Sequence, residues 1–287
     1  MKKLICIFLS LLICSNLCGY AYADDNNSKD ENLHNEKVFE LSEYAYIKSL
    51  AKMSDSNLIS AGYTEKEIAD IRDYKDIFTN HIKYLDSYND DVLLEGGYTE
   101  EQLYYIRNFD GSEEALLTAS ASMSVSVTTS YFHFDGDYTT GRVAYTWEWL
   151  GYPAFKGQDA FAFSWNNWAV TSNNGYVYYY DWGLGTYYTS LSATYTNSGC
   201  GTYGAGHKFN LLYNGNYYGK RGGGSFWVKS TVHDECDFYY LAKYGHSTIN
   251  ASISVSVSGS GTSVGISFSS GVTIPSGGSA TGSVVPS

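Results

Sequence analysis

The chain has 287 residues, with 30 acidic and 18 basic side chains and a net charge of −12 at pH 7. A strongly negative chain repels nucleic acid and anionic membranes, so the charge argues against a nucleic-acid partner. Most of the acidic residues precede Thr118, whereas all six tryptophans follow it. The composition therefore predicts an α+β protein, with a small N-terminal helical module followed by an all-β antiparallel sandwich.

The N-terminus predicts export. Two lysines follow Met1, an apolar run extends from Leu4 to Leu17, and Ala21-Tyr22-Ala23 comes next. A charged start, a short apolar run and small residues at a cleavage site are typical of a secretory signal peptide over residues 1–23. We expect cleavage after Ala23 and a secreted mature chain without a transmembrane helix. Residues 24–37 are polar and aperiodic, which predicts a disordered leader.

Residues 38–118 are predicted to form a helical module with two 35-residue units. Apolar side chains recur from Val38 onward at three- and four-residue intervals, which predicts a helix with one apolar face. This face holds Phe39, Leu41, Tyr44, Ile47 and Leu50.

A repeat follows, because residues 92–109 echo residues 57–74, and Gly97 lies 35 positions after Gly62. Each glycine is predicted to end a helix in the left-handed conformation. Thr64 with Glu67, and Thr99 with Gln102, are then predicted to begin the next helix with a capping box. Three roles are open for the module: a cleaved pro-region, a partner-binding domain, or an accessory bundle that packs on the sheet. The sequence does not identify a partner protein for it.

Residues 119–287 are predicted to form the β-sandwich domain, because apolar and polar residues alternate there and Gly- and Asn-rich segments separate the runs. Asn173-Asn174-Gly175 and Gly222-Gly223-Gly224 are predicted to be turns. The predicted strands are Ala121–Phe134, Thr139–Leu150, Asp159–Val170, Tyr176–Trp182, Tyr187–Thr196, Lys208–Tyr213, Ser225–Val232, Asp237–Tyr244, Ile249–Ser256 and Ser263–Phe268.

Aromatic residues give the main indication of function. Alternate residues of a strand share a face. Trp147 and Trp149 are therefore predicted to lie on one face of their strand, and Tyr178, Tyr180 and Trp182 on one face of theirs. The chain holds more rings than a sandwich core needs, and exposed rings flanked by Asn, Asp and Gly suit the faces and hydroxyls of sugars. We expect these five residues to bind a glycan or a cell-surface component. The alternative is that the rings fill a wide core.

Serine alternates with small apolar residues in 121–127 and 251–257. This pattern resembles the amphipathic hairpins that β-pore-forming toxins insert into membranes, and the run lengths are near those of membrane-spanning strands. The alternative, which we favour, is strands of a sandwich with one buried and one solvent-exposed face.

No catalytic motif is present, and the sequence favours a binding role over an enzyme. A glycan-active hydrolase would need a carboxyl pair, for which Glu148 with Asp159 or Asp181 are the candidates. No cofactor and no metal site is predicted, because Asp135-Gly136-Asp137 lacks the ligands of a calcium loop.

Cys200 and Cys236 remain after the predicted cleavage, and an even cysteine count in an exported chain predicts a disulfide between them. The alternative is a reactive thiol or a metal ligand, since His233 lies three residues before Cys236. A zinc site would also need ligands such as His207 and His246 at the same place.

A loose resemblance covers the β domain only. The segments Tyr145–Trp149, Asp159–Trp165 and Ser252–Gly259 are similar to segments of secreted Gram-positive proteins with a C-terminal β domain and no assigned function. The resemblance implies export, and it carries no catalytic residues over to this chain.

Overall fold

A computed structural model describes residues 35–61, 63–196, 202–247, 255–260, 263–268, 272–273 and 279–286. The predicted signal peptide and residues 24–34 of the predicted leader lie outside the described residues. The described residues belong to one compact unit. They form seven helices near the N-terminus and antiparallel sheets, which confirms the predicted α+β fold with a β-sandwich.

The helices are short and most begin at a Ser, Thr or Asn. They are α1 Glu43–Leu50, α2 Asp55–Ser60, α3 Glu65–Arg72, α4 Tyr74–Leu85, α5 Asp90–Glu95, α6 Glu100–Arg107 and α7 Glu113–Ala119.

The predicted helix from Val38 is wrong, as is a leader that extends to residue 37. Residues Asn35–Ser42 form strand β1, and the first helix begins only at Glu43. Phe39 lies opposite Val125 and Leu41 opposite Met123 in an antiparallel pairing. The two-residue spacing of these apolar side chains suits a strand whose inner face joins a core. Ser42 then caps the first helix by accepting from the N–H of Ala45.

The two predicted capping boxes are confirmed. Thr64 and Glu67 exchange hydrogen bonds at the start of α3, and Thr99 and Gln102 do the same at the start of α6. Gly97 has the predicted left-handed conformation, with φ of 98°. Gly62, its counterpart in the first unit, lies outside the described residues.

One arginine in each repeat unit braces the preceding loop in the same way. Arg72 donates to the Asp55 carboxylate and to the carbonyl of Ala51 at 2.6 Å. Arg107 donates to the Asp90 carboxylate and, with a short bond, to the carbonyl of Asp86. Partners that lie 35 positions apart make equivalent bonds, so the sequence repeat is also a repeat of structure.

The strands after the helices follow the alternating sequence pattern. They are β2 Ser122–Phe134, β3 Thr139–Leu150, β4 Gln158–Ser164, β5 Trp168–Asp181, β6 Tyr187–Ser192, β7 Thr194–Thr196, β8 Gly204–Asn210, β9 Leu212–Tyr213, β10 Tyr217–Ser230, β11 Phe238–Ser247, β12 Val255–Ser260, β13 Ser263–Phe268, β14 Val272–Thr273 and β15 Ser279–Val284.

Two antiparallel sheets form the sandwich. The first sheet has the order β1-β2-β3-β10-β5-β6, with β9 paired to β10. The second sheet has the order β14-β11-β4-β8-β7, with β15 paired to β11. Their inner faces enclose an aromatic core in which Tyr145 stacks on Phe161 with ring centroids 4.0 Å apart, and Trp147 stacks on Phe209 at 4.6 Å. The rings of this core join the two sheets.

Two glycine segments that we expected to be turns lie inside strands, which corrects those predictions. Asn173–Gly175 belongs to β5 and Gly222–Gly224 to the centre of β10. A Cβ atom on Gly222 would lie 2.7 Å from the indole of Trp147, and one on Gly224 would lie 2.8 Å from Nδ1 of His207. Glycine is used there because large core side chains approach the backbone closely.

The helices pack on one end of the sandwich through a second core. Tyr152 and Trp182, from the ends of the first sheet's strands, are buried there among Phe78, Ile82 and Leu85 of α4. A third, small cluster joins the β12–β13 hairpin to the outer surface of the second sheet, where Val255, Val257 and Ile266 cover Ala160 and Ala162.

Candidate functional site

The candidate site is the outer face of the first sheet, the surface that points away from the core between the sheets. We call it the outer face. Along β3 it presents alternate residues from Thr140 to Glu148, and along β10 it presents Arg221, Gly223, Ser225 and Trp227. Tyr178 lies opposite Arg221 on β5, and Ser190 lies opposite Tyr178 on β6. The face is therefore rich in hydroxyl and aromatic groups.

Four tyrosines form what we call the tyrosine cluster: Tyr176, Tyr178, Tyr180 and Tyr187. The ring centroids of Tyr176 and Tyr178 are 5.2 Å apart, and those of Tyr178 and Tyr187 are 6.1 Å apart. Tyr187 is the most exposed member, at 55%. Such edge-to-face contacts hold the rings in fixed orientations, so part of each ring is presented to solvent without a large loss of freedom on binding.

The hydroxyl end of Tyr176 lies over β10, since a Cβ atom on Gly223 would come within 2.9 Å of the Tyr176 hydroxyl. The glycine thus makes room for a ring on the sheet surface. Burial raises the pKa of Tyr176 and of Tyr180 above the ordinary tyrosine value. Their hydroxyls therefore stay protonated at neutral pH and remain able to donate hydrogen bonds.

Arg221 adds a cation to the tyrosine cluster. Its guanidinium carbon lies 5.4 Å from the ring centroid of Tyr178 and 5.9 Å from that of Tyr180. A guanidinium over an aromatic face keeps its N–H groups in the plane of the fork, where they can donate to a ligand. Glu148, the cross-strand neighbour of Arg221 on β3, supplies an acceptor beside it.

A second aromatic platform lies at the other end of β10. Tyr131 of β2 stacks on Trp227 with ring centroids 5.6 Å apart, and both rings are more than a third exposed. Tyr131 has φ of 60°, at an irregularity in the pairing of β2 with β3. This conformation is unfavourable for a residue with a side chain, and such outliers cluster at ligand sites.

The structure corrects three of the five predicted ligand-binding residues. Trp147 and Trp149 are 2% and 1% exposed and belong to the core between the sheets. Trp182 is buried under the helices, with its ring 4.4 Å from that of Tyr152 and 3.8 Å from the Lys156 ammonium. The predicted sharing of faces is right for Trp147 and Trp149, but the face is the inner one.

Tyr178 and Tyr180, the other two predicted ligand residues, lie half-buried on the outer face. The sequence prediction missed Tyr131, Trp227 and the two arginines of the face, Arg142 and Arg221. Trp227 alternates with Phe226 and Val228, which could have indicated a ring on the exposed side of a strand.

A buried charged cluster lies elsewhere, at the junction of the helices and both sheets. The His246 ring donates from Nδ1 to Asp159 at 2.9 Å and from Nε2 to Glu43 at 3.3 Å. Burial by itself lowers the pKa of His246, but the charges and hydrogen bonds of Asp159 and Glu43 outweigh it and raise this pKa to about 10. His246 is therefore an imidazolium at neutral pH.

The remaining oxygens of this cluster are also bonded. Glu43 accepts from the N–H groups of Ala154 and Phe155, both at 2.8 Å, and Asp159 accepts from the Tyr244 hydroxyl. All three charged groups are at most 3% exposed. A substrate cannot reach these atoms, so the cluster holds the structure together and is not a reaction site.

The carboxyl pairs expected of a hydrolase are not supported by the geometry. Asp159 is fully buried between the sheets, whereas Glu148 lies on the outer face. Asp181 accepts from the N–H groups of Gly183 and Leu184 and so fixes the turn after β5. Asp159 and Glu148 thus do not share a cleft in which a glycosidic bond could lie between them.

The serine-rich runs behave as strands of a sandwich. Met123, Val125 and Val127 of β2 are fully buried, while the serines between them are partly exposed. Val255 and Val257 of β12 pack on the second sheet. The part of the second run at residues 251–254 lies outside the described residues. In the described part, the geometry favours the account with one buried and one wet face over a membrane-inserting hairpin.

Cys236 has a free thiol in the structure, 3.5 Å from the carbonyl of Asp234. Its predicted partner Cys200 lies outside the described residues, and the disulfide stays a prediction. Within the described ranges, no group of three or more His, Cys, Asp or Glu side chains could hold a metal ion. No helix of the described chain has the length and apolarity that crossing a membrane requires.

No family model and no curated protein matches the chain. Among solved structures it is similar to the KRT10-binding region domain of the pneumococcal serine rich repeat protein PsrP, at 16% identity over 44% of this chain and 78% of that chain, with a TM-score of 0.24. It is also similar to the C-terminal domain of the Streptococcus agalactiae AgI/II polypeptide BspA, at 10% identity, 44% and 54% coverage and a TM-score of 0.25.

A third neighbour is TmCBM27, a carbohydrate-binding module with specific mannan recognition, at 10% identity, 41% and 70% coverage and a TM-score of 0.15. This chain spans about half of the BspA domain. With TM-scores this low, the three likenesses carry no argument about ligand or function.

Proposed function

We propose that this protein is a secreted, non-catalytic binding protein that binds a glycan through the outer face of its first sheet. The observation that carries the proposal is the tyrosine cluster, in which rings held by edge contacts are partly open to solvent beside a cation and an acceptor. Export rests on the predicted signal peptide of residues 1–23.

The chemistry of the face suits sugars. Sugar rings present apolar C–H faces, which stack on aromatic rings, and hydroxyl groups, which need donors and acceptors in fixed positions. The tyrosine cluster supplies the rings, the Tyr176 and Tyr180 hydroxyls donate, and the Glu148 carboxylate accepts. An open sheet face also suits a ligand that lies along a surface, since several rings of one face can be contacted together.

The proposal is tested by affinity electrophoresis of the full-length mature protein in gels that contain a panel of soluble polysaccharides. We expect at least one polymer to retard the protein. Tyr187→Ala and Tyr178→Ala should each weaken binding about tenfold, because removing an aromatic anchor from an interface costs more than 1 kcal/mol.

Tyr239→Ala is the matched control. Tyr239 is 62% exposed on β11 of the second sheet, and its removal should leave binding unchanged. Circular dichroism and thermal unfolding of each variant separate lost binding from lost structure. Binding that survives both substitutions in the tyrosine cluster, or no retardation by any polymer, would count against the proposal.

A further inference from the structure

On the two central strands of the outer face, β3 and β10, cations outnumber carboxylates, although the chain as a whole carries a net charge of −12. Arg142 of β3 lies opposite Trp227, Arg221 lies opposite Glu148, and Lys229 lies opposite Thr140. Three cations and one carboxylate, that of Glu148, thus lie along the two central strands. The acidic side chains of Glu36 and Glu40 lie at the β1 edge, where they face Thr128 and Ser124 of β2.

These cations are held differently from the arginines of the helices. Arg72 and Arg107 are occupied by carboxylates and carbonyls. In the described part of the chain neither Arg142 nor Arg221 forms an ion pair, and Nε of Arg142 is buried without a hydrogen-bond partner. Arg221 lies against tyrosine rings. No carboxylate of the described residues therefore neutralises either guanidinium, and both can pair with an anionic ligand, although Arg221 also hydrogen-bonds with the Tyr180 side chain.

We infer that the glycan is an acidic polysaccharide whose carboxylates are bound by Arg142 and Arg221, with its chain lying along β10. This inference rests on the proposed function and names the class of its ligand. A guanidinium fork matches a carboxylate in a bidentate way, which a neutral sugar hydroxyl cannot reproduce. An anion is also repelled by the acidic β1 edge, which keeps the chain over β3 and β10.

The spacing of the platforms fits a polymer. Arg221 and Trp227 are six residues apart on β10, which is about 20 Å at the rise of a strand. Between them the strand presents Gly223 and Ser225, so no large side chain of β10 itself interrupts the path. A chain several sugar rings long would contact the tyrosine cluster at one end and the Tyr131–Trp227 pair at the other.

The test uses polygalacturonate and the same polymer with its carboxyls methyl-esterified. The full-length mature protein is titrated with each by isothermal calorimetry at low and at physiological salt. We expect the acidic polymer to bind at least about tenfold more tightly, with an affinity that falls as salt rises. Arg142→Gln and Arg221→Gln should each lower the affinity for it about tenfold.

Two variants serve as controls. Lys208→Gln removes one positive charge from β8 of the second sheet and should leave the affinity unchanged. Arg221→Lys keeps the charge but loses the fork, so it should recover only part of the affinity.

Equal affinity for the acidic and the esterified polymer would overturn the inference and leave the proposed function standing. Retention by neutral polysaccharides alone would do the same. Binding to phosphatidylglycerol vesicles with no binding to polygalacturonate would also overturn the inference. Failure of every polysaccharide would overturn the proposed function itself, and this inference with it.

Discussion

The buried imidazolium of His246 predicts that the protein loses stability as the solution becomes mildly alkaline. Its pKa is about 10 in the folded protein and about 6.5 in an unfolded chain. Because the folded pKa is the higher one, the stabilisation is complete below pH 6.5 and is lost as the pH rises towards 10. Between these values the folded state binds one proton that the unfolded state lacks, so the free energy of unfolding falls by about 1.4 kcal/mol per pH unit.

From pH 7 to 8.5 the expected loss is about 2 kcal/mol. This window lies above the range in which His81 and His207 titrate, since burial lowers both of their pKa values to about 4. Burial raises the pKa of the Cys236 thiol, so this thiol adds a smaller loss of the same sign near the upper end of the window, where thiols of an unfolded chain begin to ionise at about pH 8.5. The free energy of unfolding is measured by urea titration at several pH values in this window, with a constant buffer ionic strength.

Asp159→Asn removes one of the two carboxylates that hold the imidazolium. We expect this variant to be less stable at pH 7 by about 3–5 kcal/mol, because it leaves a buried charge short of a partner. Its stability should also depend less on pH. If this variant is too unstable to fold, the prediction is tested on the wild-type protein, in which NMR follows the titration of the His246 ring. If the His246 ring protons titrate near pH 6.5 in the wild type, the reasoning is refuted.

Two further predictions concern other buried groups. The free energy of unfolding should also fall by about 3 kcal/mol from pH 6.5 to 5. His81 and His207 stay neutral in the folded protein at these pH values, whereas in the unfolded chain both take up a proton. Urea titrations should show about half this change in His207→Gln, and a variant with the same pH dependence as the wild type would contradict the prediction. Gly224→Ala should destabilise by about 1–3 kcal/mol, because its Cβ would lie 2.7 Å from the carbonyl oxygen of Asn174. Thermal unfolding checks this against Gly183→Ala, whose Cβ has no neighbour nearer than 3.5 Å. Equal melting temperatures of the two glycine variants would rule out the crowding argument.

Local chemistry was predictable from the sequence. The capping boxes at Thr64 and Thr99 depend on residues three positions apart, and the structure has both. Strand β3 has the predicted bounds, Thr139–Leu150, since its alternation is uninterrupted. These features need no knowledge of distant parts of the chain.

Features that depend on tertiary packing were not predictable. Alternation shows that Trp147 and Trp149 share a face, but only the second sheet decides that this face is inside. Likewise, the sequence of Gly222–Gly224 predicts a turn, and only the structure shows that the side chains of His207 and Trp147 pack closely against this segment of a strand. The prediction of the candidate site was the least accurate, because the exposure of a ring depends on how the sandwich is assembled. Tyr131 and Trp227, for example, come into contact only because β2 and β10 belong to one sheet.

Strand β1 lies before the helices in the chain but belongs to the first sheet of the sandwich. It precedes all seven described helices and pairs with β2 over eight residues. A protease that cut near Thr118 and released the helical segment would therefore take β1 away as well. The backbone N–H and C=O groups of β2 that pair with β1 would then be left unpaired at the edge of the sheet. This edge is rich in serine and valine and has no charged side chains along the part that pairs with β1, so it could pair with the same edge of another molecule. Trimming the chain would thus favour aggregation of the remaining sandwich.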